Sequence, residues 1–235
     1  LAYTFGEDLL IAPPEENKIR DIRDQFGNYI FENMLPMLFH QFVTGTQWQN
    51  LDFSFQPATA LRLPNTYGLD FNPHYINYTD SISFGEVYMN LHLVDPGEVE
   101  HVAEILVLNN FDISLSPLDT TILEKTFYFN DIMENSIHDN ATQVQIIQMF
   151  SHAHEKMIQF DVEVIDFIHQ DTILVYSTQD WEHPPIYDIN PALTINPSQA
   201  IHLKTTYYNW TSDEVNFGSL SLDEMMILFG YFYVE

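Results

Sequence analysis

Gly, Pro, Asn and Asp break this chain about every ten residues, and the stretches between the breaks are rich in Val, Ile, Thr, Phe and Tyr. Several stretches alternate apolar and polar residues at period two, which sets one face of a strand toward a core and the other toward water. Strands are expected over Ser81 to Leu93, Thr121 to Phe129, Thr142 to Phe150, Gln159 to Ile165, Thr172 to Ser177, Ala200 to Tyr208 and Met226 to Val234. Between Lys18 and Phe39 the apolar residues fall near helical spacing, but Gly27 and Pro36 interrupt them, so this run reads as mostly irregular. The fold class predicted is all-β.

A boundary is expected at Val94-Asp95-Pro96-Gly97-Glu98, where a proline and a glycine follow the long strand expected over Glu86 to Leu93. Residues 98–235 carry the strand number and spacing of a two-sheet, jelly-roll-type β-sandwich. Residues 1–97 are short for a closed partner of the same type, so this first domain is expected to be incomplete, its true N-terminus lying upstream. With 46% hydrophobic and 14% aromatic residues the chain can bury a real core. No run of 18 apolar residues occurs, which excludes a helical membrane span.

Acidic residues number 34 against seven basic ones, a formal net charge of −27. Such a surface repels nucleic acid and offers no Lys/Arg track for phosphates; it fits a cationic partner, divalent ions or a salty medium. Cysteine is absent, so a metal would have to be held by His, Met, carboxylate or backbone oxygen.

Within the run Met149-Phe150-Ser151-His152-Ala153-His154-Glu155, two imidazoles stand one residue apart. On a strand His152 and His154 project from the same face and can share one metal ion without distorting the backbone. Leu222-Asp223-Glu224-Met225-Met226-Ile227 offers Met225 as a third donor. Two imidazoles and a thioether favour copper over zinc, since thioether sulfur binds Cu(I) well and zinc sites complete their set with Cys, His or carboxylate. On a strand, a methionine also serves as core filler.

These segments resemble the copper type II, ascorbate-dependent monooxygenases, the family of peptidylglycine α-hydroxylating monooxygenase and dopamine β-hydroxylase. That family carries a His-x-His pair on one strand and, further on, an Asp-Glu-Met segment whose methionine completes the catalytic copper site. The matching positions here are His152, His154 and Met225 in Asp223-Glu224-Met225-Met226. Tyr207-Tyr208-Asn209-Trp210-Thr211 and Asp180-Trp181-Glu182-His183-Pro184-Pro185 are similar to stretches of bacterial relatives, as are Leu69 to Asn77 and Gly85 to His92. The family's first domain binds a second, electron-transferring copper through an adjacent His-His pair and a later His-Tyr. His74-Tyr75 is similar to the latter, His40 is a weaker candidate, and no His-His occurs in the sequence.

The resemblance implies a monooxygenase that hydroxylates a C–H bond using one or two copper ions, O2 and ascorbate or a similar one-electron reductant. It also implies a secreted, periplasmic or cell-surface location. Two positions depart from the peptide-amidating enzyme: Phe150 stands in place of a substrate-binding arginine, and Phe229 in place of a tyrosine. Neither can anchor a carboxylate, so a small neutral or apolar substrate is expected rather than a peptide acid. The alternative is a copper-binding or surface assembly protein on the same fold without catalysis. His183 reads as a structural hydrogen-bonding residue at a strand end in preference to an indirect contact with the site; His92, His101, His138, His169 and His202 share no spacing and read as surface or satisfied histidines.

Overall fold

The computed structural model describes residues 2–5, 20–26, 28–35, 41–65, 68–71, 73, 75, 77–134, 136–138, 140–218, 220 and 222–235. In chain order they form β1 (Ala2–Phe5), α1 (Phe31–Met34), β2 (Gln41–Thr44), β3 (Thr59–Leu61), β4 (Gly68–Phe71), β5 (His101–Asn109), β6 (Ser114–Leu115) and β7 (Asp119–Tyr128). There follow α2 (Phe129–Met133), β8 (Val144–His152), β9 (Met157–Asp166), β10 (Asp171–Thr178), β11 (Tyr187–Ile195), β12 (Gln199–Asn209), β13 (Val215–Asn216) and β14 (Ile227–Val234). The chain is all-β, as its punctuation predicts. No helix among the described residues is long and apolar enough to cross a membrane.

The chain divides into two units, Leu1–Thr46 with Arg62–Leu93, and Gln47–Leu61 with Val94–Glu235. The first holds an antiparallel sheet in the order β2-β1-β4, with Phe42 and Val43 of β2 buried. Its last stretch departs from expectation. Ser81 to Leu93 alternates like a strand but has no regular structure and is almost wholly exposed, because alternation gives a segment the capacity to pair and no partner strand lies beside it among the described residues. The candidate copper ligands His74 and His40 lie outside the described residues.

The second unit is a β-sandwich whose topology follows from its register. Its eight long strands, in chain order, are β5, β7, β8, β9, β10, β11, β12 and β14. One sheet runs β11-β8-β14-β5, with the short β3 joined to β5 in parallel, and the other runs β10-β9-β12-β7. Counted by position, the sheets read sixth-third-eighth-first and fifth-fourth-seventh-second, all antiparallel, which is the strand order of a jelly roll. Between the sheets the inward residues make one core, with Ile146 and Met149 of β8, Leu228 and Phe232 of β14, Phe160 and Val162 of β9, and Ile201 and Leu203 of β12 all excluded from water.

The segment 47–61 straps the outer face of the five-stranded sheet. Phe53 and Phe55 pack on Tyr231 at ring-centroid distances of 5.9 and 4.9 Å, over Ala103 and Ile147. Gln56 donates to the Ile189 carbonyl at 2.8 Å, and β3 then pairs with His101 to Ala103. A single cut near residue 97 therefore does not separate the two units along the chain.

Candidate metal centre

β8 decides which way the histidines face. Ser151 points inward, where its N–H and hydroxyl meet the Tyr176 phenol of the opposite sheet at 3.2 and 3.1 Å, and Ala153 joins the core. By alternation Phe150, His152 and His154 face outward. The pairing of β8 with β14 sets Phe150 against Phe229 and His152 against Ile227. The two phenylalanine rings stack at 5.5 Å, and Phe229 lies 6.2 Å from the His152 ring. The result is a row of aromatic side chains ending in a histidine pair whose centroids are 5.4 Å apart, ring edge toward ring face.

A carboxylate ties the Met225 backbone to that of His154. Glu224 has no exposed surface, and its Oε2 accepts the N–H of His154 at 2.9 Å and that of Met225 at 3.2 Å. Its Oε1 accepts the Lys156 N–H at 2.7 Å. Two backbone N–H groups from the two sequence motifs thus converge on one oxygen. Burial pushes the Glu224 carboxyl up to about 7, against the pull of the three N–H donors and of Lys156. The Lys156 side chain is itself buried, with Nζ paired to Glu155 and 4.2 Å above the Trp210 ring. The Tyr207 hydroxyl donates to the Met225 carbonyl at 2.8 Å, and burial holds that phenol well above its ordinary pKa, so it stays a donor.

The hydrogen bonds also fix the imidazole tautomers. Nδ1 of His154 lies 2.8 Å from the Asp223 carbonyl, which can only accept, so Nδ1 carries a proton. Burial lowers the His154 pKa more than that carbonyl raises it, which favours the neutral ring with its lone pair on Nε2. Nδ1 of His152 lies 3.0 Å from Oε1 of Gln47, and the Gln47 amide nitrogen donates to the Trp181 carbonyl at 2.8 Å. That second bond orients the amide with its oxygen toward His152, so Nδ1 of His152 is also the protonated nitrogen.

Among the described residues no three His, Asp or Glu side chains gather in a group that could hold a metal ion. The donors on offer at the pair are two imidazole nitrogens and, from the neighbouring segment, a thioether. This set fits copper, and Cu(I) in particular. The structure brings together the segments of His152, His154 and Met225.

Five further histidines have structural contacts, while His92 is exposed. His183 packs 4.9 Å from Trp48, His101 stacks on Tyr233 at 4.1 Å, His202 bonds Thr126 at 2.9 Å, His169 pairs with Asp166 at 3.0 Å, and His138 lies 3.5 Å from Glu104. Sequence reasoning missed Gln47, which stands 105 positions from His152 and carries no motif, and it took only Met225 from a segment in which Asp223 and Glu224 also contact His154.

The fold and site together define a jelly-roll β-sandwich with a paired-imidazole centre on the outer face of one sheet. No protein-family model and no curated protein matches the chain. Among solved structures it is similar to a chain of the virus-like particle of the extra small virus of the giant freshwater prawn Macrobrachium rosenbergii, with 10% identity, a TM-score of 0.26, and coverage of 70% of this chain and 95% of that one. The jelly-roll order rests on the strand pairing above and not on that likeness.

Proposed function

We propose that this chain is a copper-dependent monooxygenase that hydroxylates a C–H bond with O2 and an external one-electron reductant such as ascorbate, holding the metal through His152, His154 and Met225. The observation that carries this reading is the pair of Nδ1-protonated imidazoles on one sheet face, each held by a fixed oxygen acceptor, as metal-ligating histidines are. Copper bound there supplies one-electron chemistry toward O2. The chain's own residues do the rest. Glu224 ties the Met225 backbone to that of His154, and the stacked, buried Phe150 and Phe229 offer neither a cation nor a hydroxyl to anchor a carboxylate, which suits a small neutral or apolar substrate. A secreted, periplasmic or cell-surface location fits this chemistry.

The second reading, a copper-binding or surface assembly protein without catalysis, draws on the lack of a His-His pair in the sequence. Metal analysis of purified protein, followed by an ascorbate-dependent oxygen-consumption assay, separates the two. Copper retained by the parent, weakened in Met225→Ala and His152→Ala, and accompanied by reductant-dependent oxygen uptake supports the monooxygenase. Copper without oxygen uptake favours the second reading, and equal copper in the parent and both variants removes the site.

A further inference from the structure

Gln47 opens the strap over the five-stranded sheet and is anchored independently of His152 and His154. Its amide nitrogen is committed to the Trp181 carbonyl at 2.8 Å, and the next residue, Trp48, donates its indole N–H to the Pro184 carbonyl at 3.1 Å. Trp48 also packs on His183, at 4.9 Å between centroids. Further along, Gln56, Phe55 and β3 hold the strap down on the sheet. The carboxamide is therefore presented to β8 in one orientation, oxygen first. A neutral imidazole in water populates both tautomers, and an immobile acceptor 3.0 Å from Nδ1 selects the form protonated there.

We infer that Gln47 is a positioning residue of the metal site: its fixed amide oxygen holds the His152 Nδ1–H, so that Nε2 is the nitrogen offered to the ion. This rests on the copper reading above and adds to it the division of labour between two acceptors. The Asp223 main-chain carbonyl, which no substitution removes, sets His154, and a replaceable side chain on a separate segment sets His152. Loss of an outer hydrogen-bond partner of this kind typically weakens metal binding about 10- to 100-fold.

The test is long-range 1H–15N correlation of the imidazole nitrogens in metal-free protein at alkaline pH, paired with a copper titration, on the parent, Gln47→Leu and Gln47→Glu. The parent should show Nδ1-protonated signals for both rings. In Gln47→Leu the His152 signals should move toward the Nε2-protonated form while those of His154 stay in place, and copper affinity should drop about 10- to 100-fold. Gln47→Glu keeps an oxygen toward His152 and should restore the parent tautomer. Unchanged His152 signals in Gln47→Leu would overturn the inference, as would both rings shifting together in both variants, since that would mark Gln47 as a support of the fold instead. A parent that shows the Nδ1-protonated tautomer, loses it in Gln47→Leu, and yet binds no copper would defeat the copper reading while leaving the control of the His152 tautomer with Gln47.

Discussion

Tyr176 ties the two sheets together with a single oxygen. Its hydroxyl donates to the Pro185 carbonyl at 3.0 Å and accepts the Ser151 N–H at 3.2 Å, directly beneath the outward-facing histidines. Burial pushes the phenol up to about 12, partly offset by the bonds from Ser151. A folded-state pKa raised above the ordinary 10 means that the fold favours the neutral phenol, so this contribution is complete below pH 10 and is lost as the pH climbs through about 12. Urea unfolding on either side of that window should show an alkaline loss of stability that is smaller in Tyr176→Phe, the remainder coming from the buried Tyr207 phenol, whose pKa is also raised. At neutral pH the same variant should be less stable by about 1–3 kcal/mol, because the Ser151 N–H and the Pro185 carbonyl lose their partner inside the protein. Glu224→Gln is expected to cost a similar amount, about 1–3 kcal/mol. An amide keeps only one acceptor oxygen where the carboxylate offered two to three N–H donors. The damage should be concentrated at His154 and Met225, visible as backbone amide shifts there.

At the scale of elements, the site depends on β8 and β14 keeping their register, and Gly230 is the residue that allows them to meet. A Cβ at that position would lie 2.2 Å from the Gln148 carbonyl oxygen, a main-chain atom that cannot swing aside. Gly230→Ala should therefore force the strands apart and cost about 1–3 kcal/mol or more, read as a lower unfolding midpoint. On the proposed copper reading it should also weaken metal binding, since the same pairing aligns Ile227 with His152. An alanine variant with unchanged stability would mean that the strands can part without cost. The sequence makes β8, β9, β12 and β14 readable because both the apolar alternation and the β-branched residues agree there. It hides β11, where Asp188, Asn190 and Pro191 look like loop punctuation but occupy an edge strand that tolerates a missing donor and a register shift. The reverse error is Ser81 to Leu93, whose pattern suits a strand but which pairs with no strand among the described residues. The histidine pair was visible from spacing alone, whereas the acceptors that orient it were not. A main-chain carbonyl leaves no mark in the sequence, and Gln47 is one glutamine among many.

Across the whole molecule, no local pattern in the sequence marks Gln47–Leu61 as part of the unit that otherwise runs Val94–Glu235. What draws that segment in is the outer face of the sheet, where Ile147 and Tyr231 are buried beneath Phe53 and Phe55; such long-range burial has no local pattern. Charge, by contrast, is fully readable, and its consequence is global. With a formal net charge of −27, most carboxylates have no cationic partner to face. The Lys125–Asp112 and Lys204–Glu124 pairs are exposed, and each contributes about 0–1 kcal/mol. Repulsion among the acids therefore outweighs attraction, and it acts over the Debye length, which shrinks from about 30 Å at 0.01 M salt to about 10 Å at 0.1 M. Sodium chloride should accordingly raise Tm across that range. For a chain of this size each 1 kcal/mol of relieved repulsion should appear as about 2–4 °C. A scan in which Tm stayed flat or fell would show that the few ion pairs contribute more than their exposure allows, and that the acidic surface does not strain the fold.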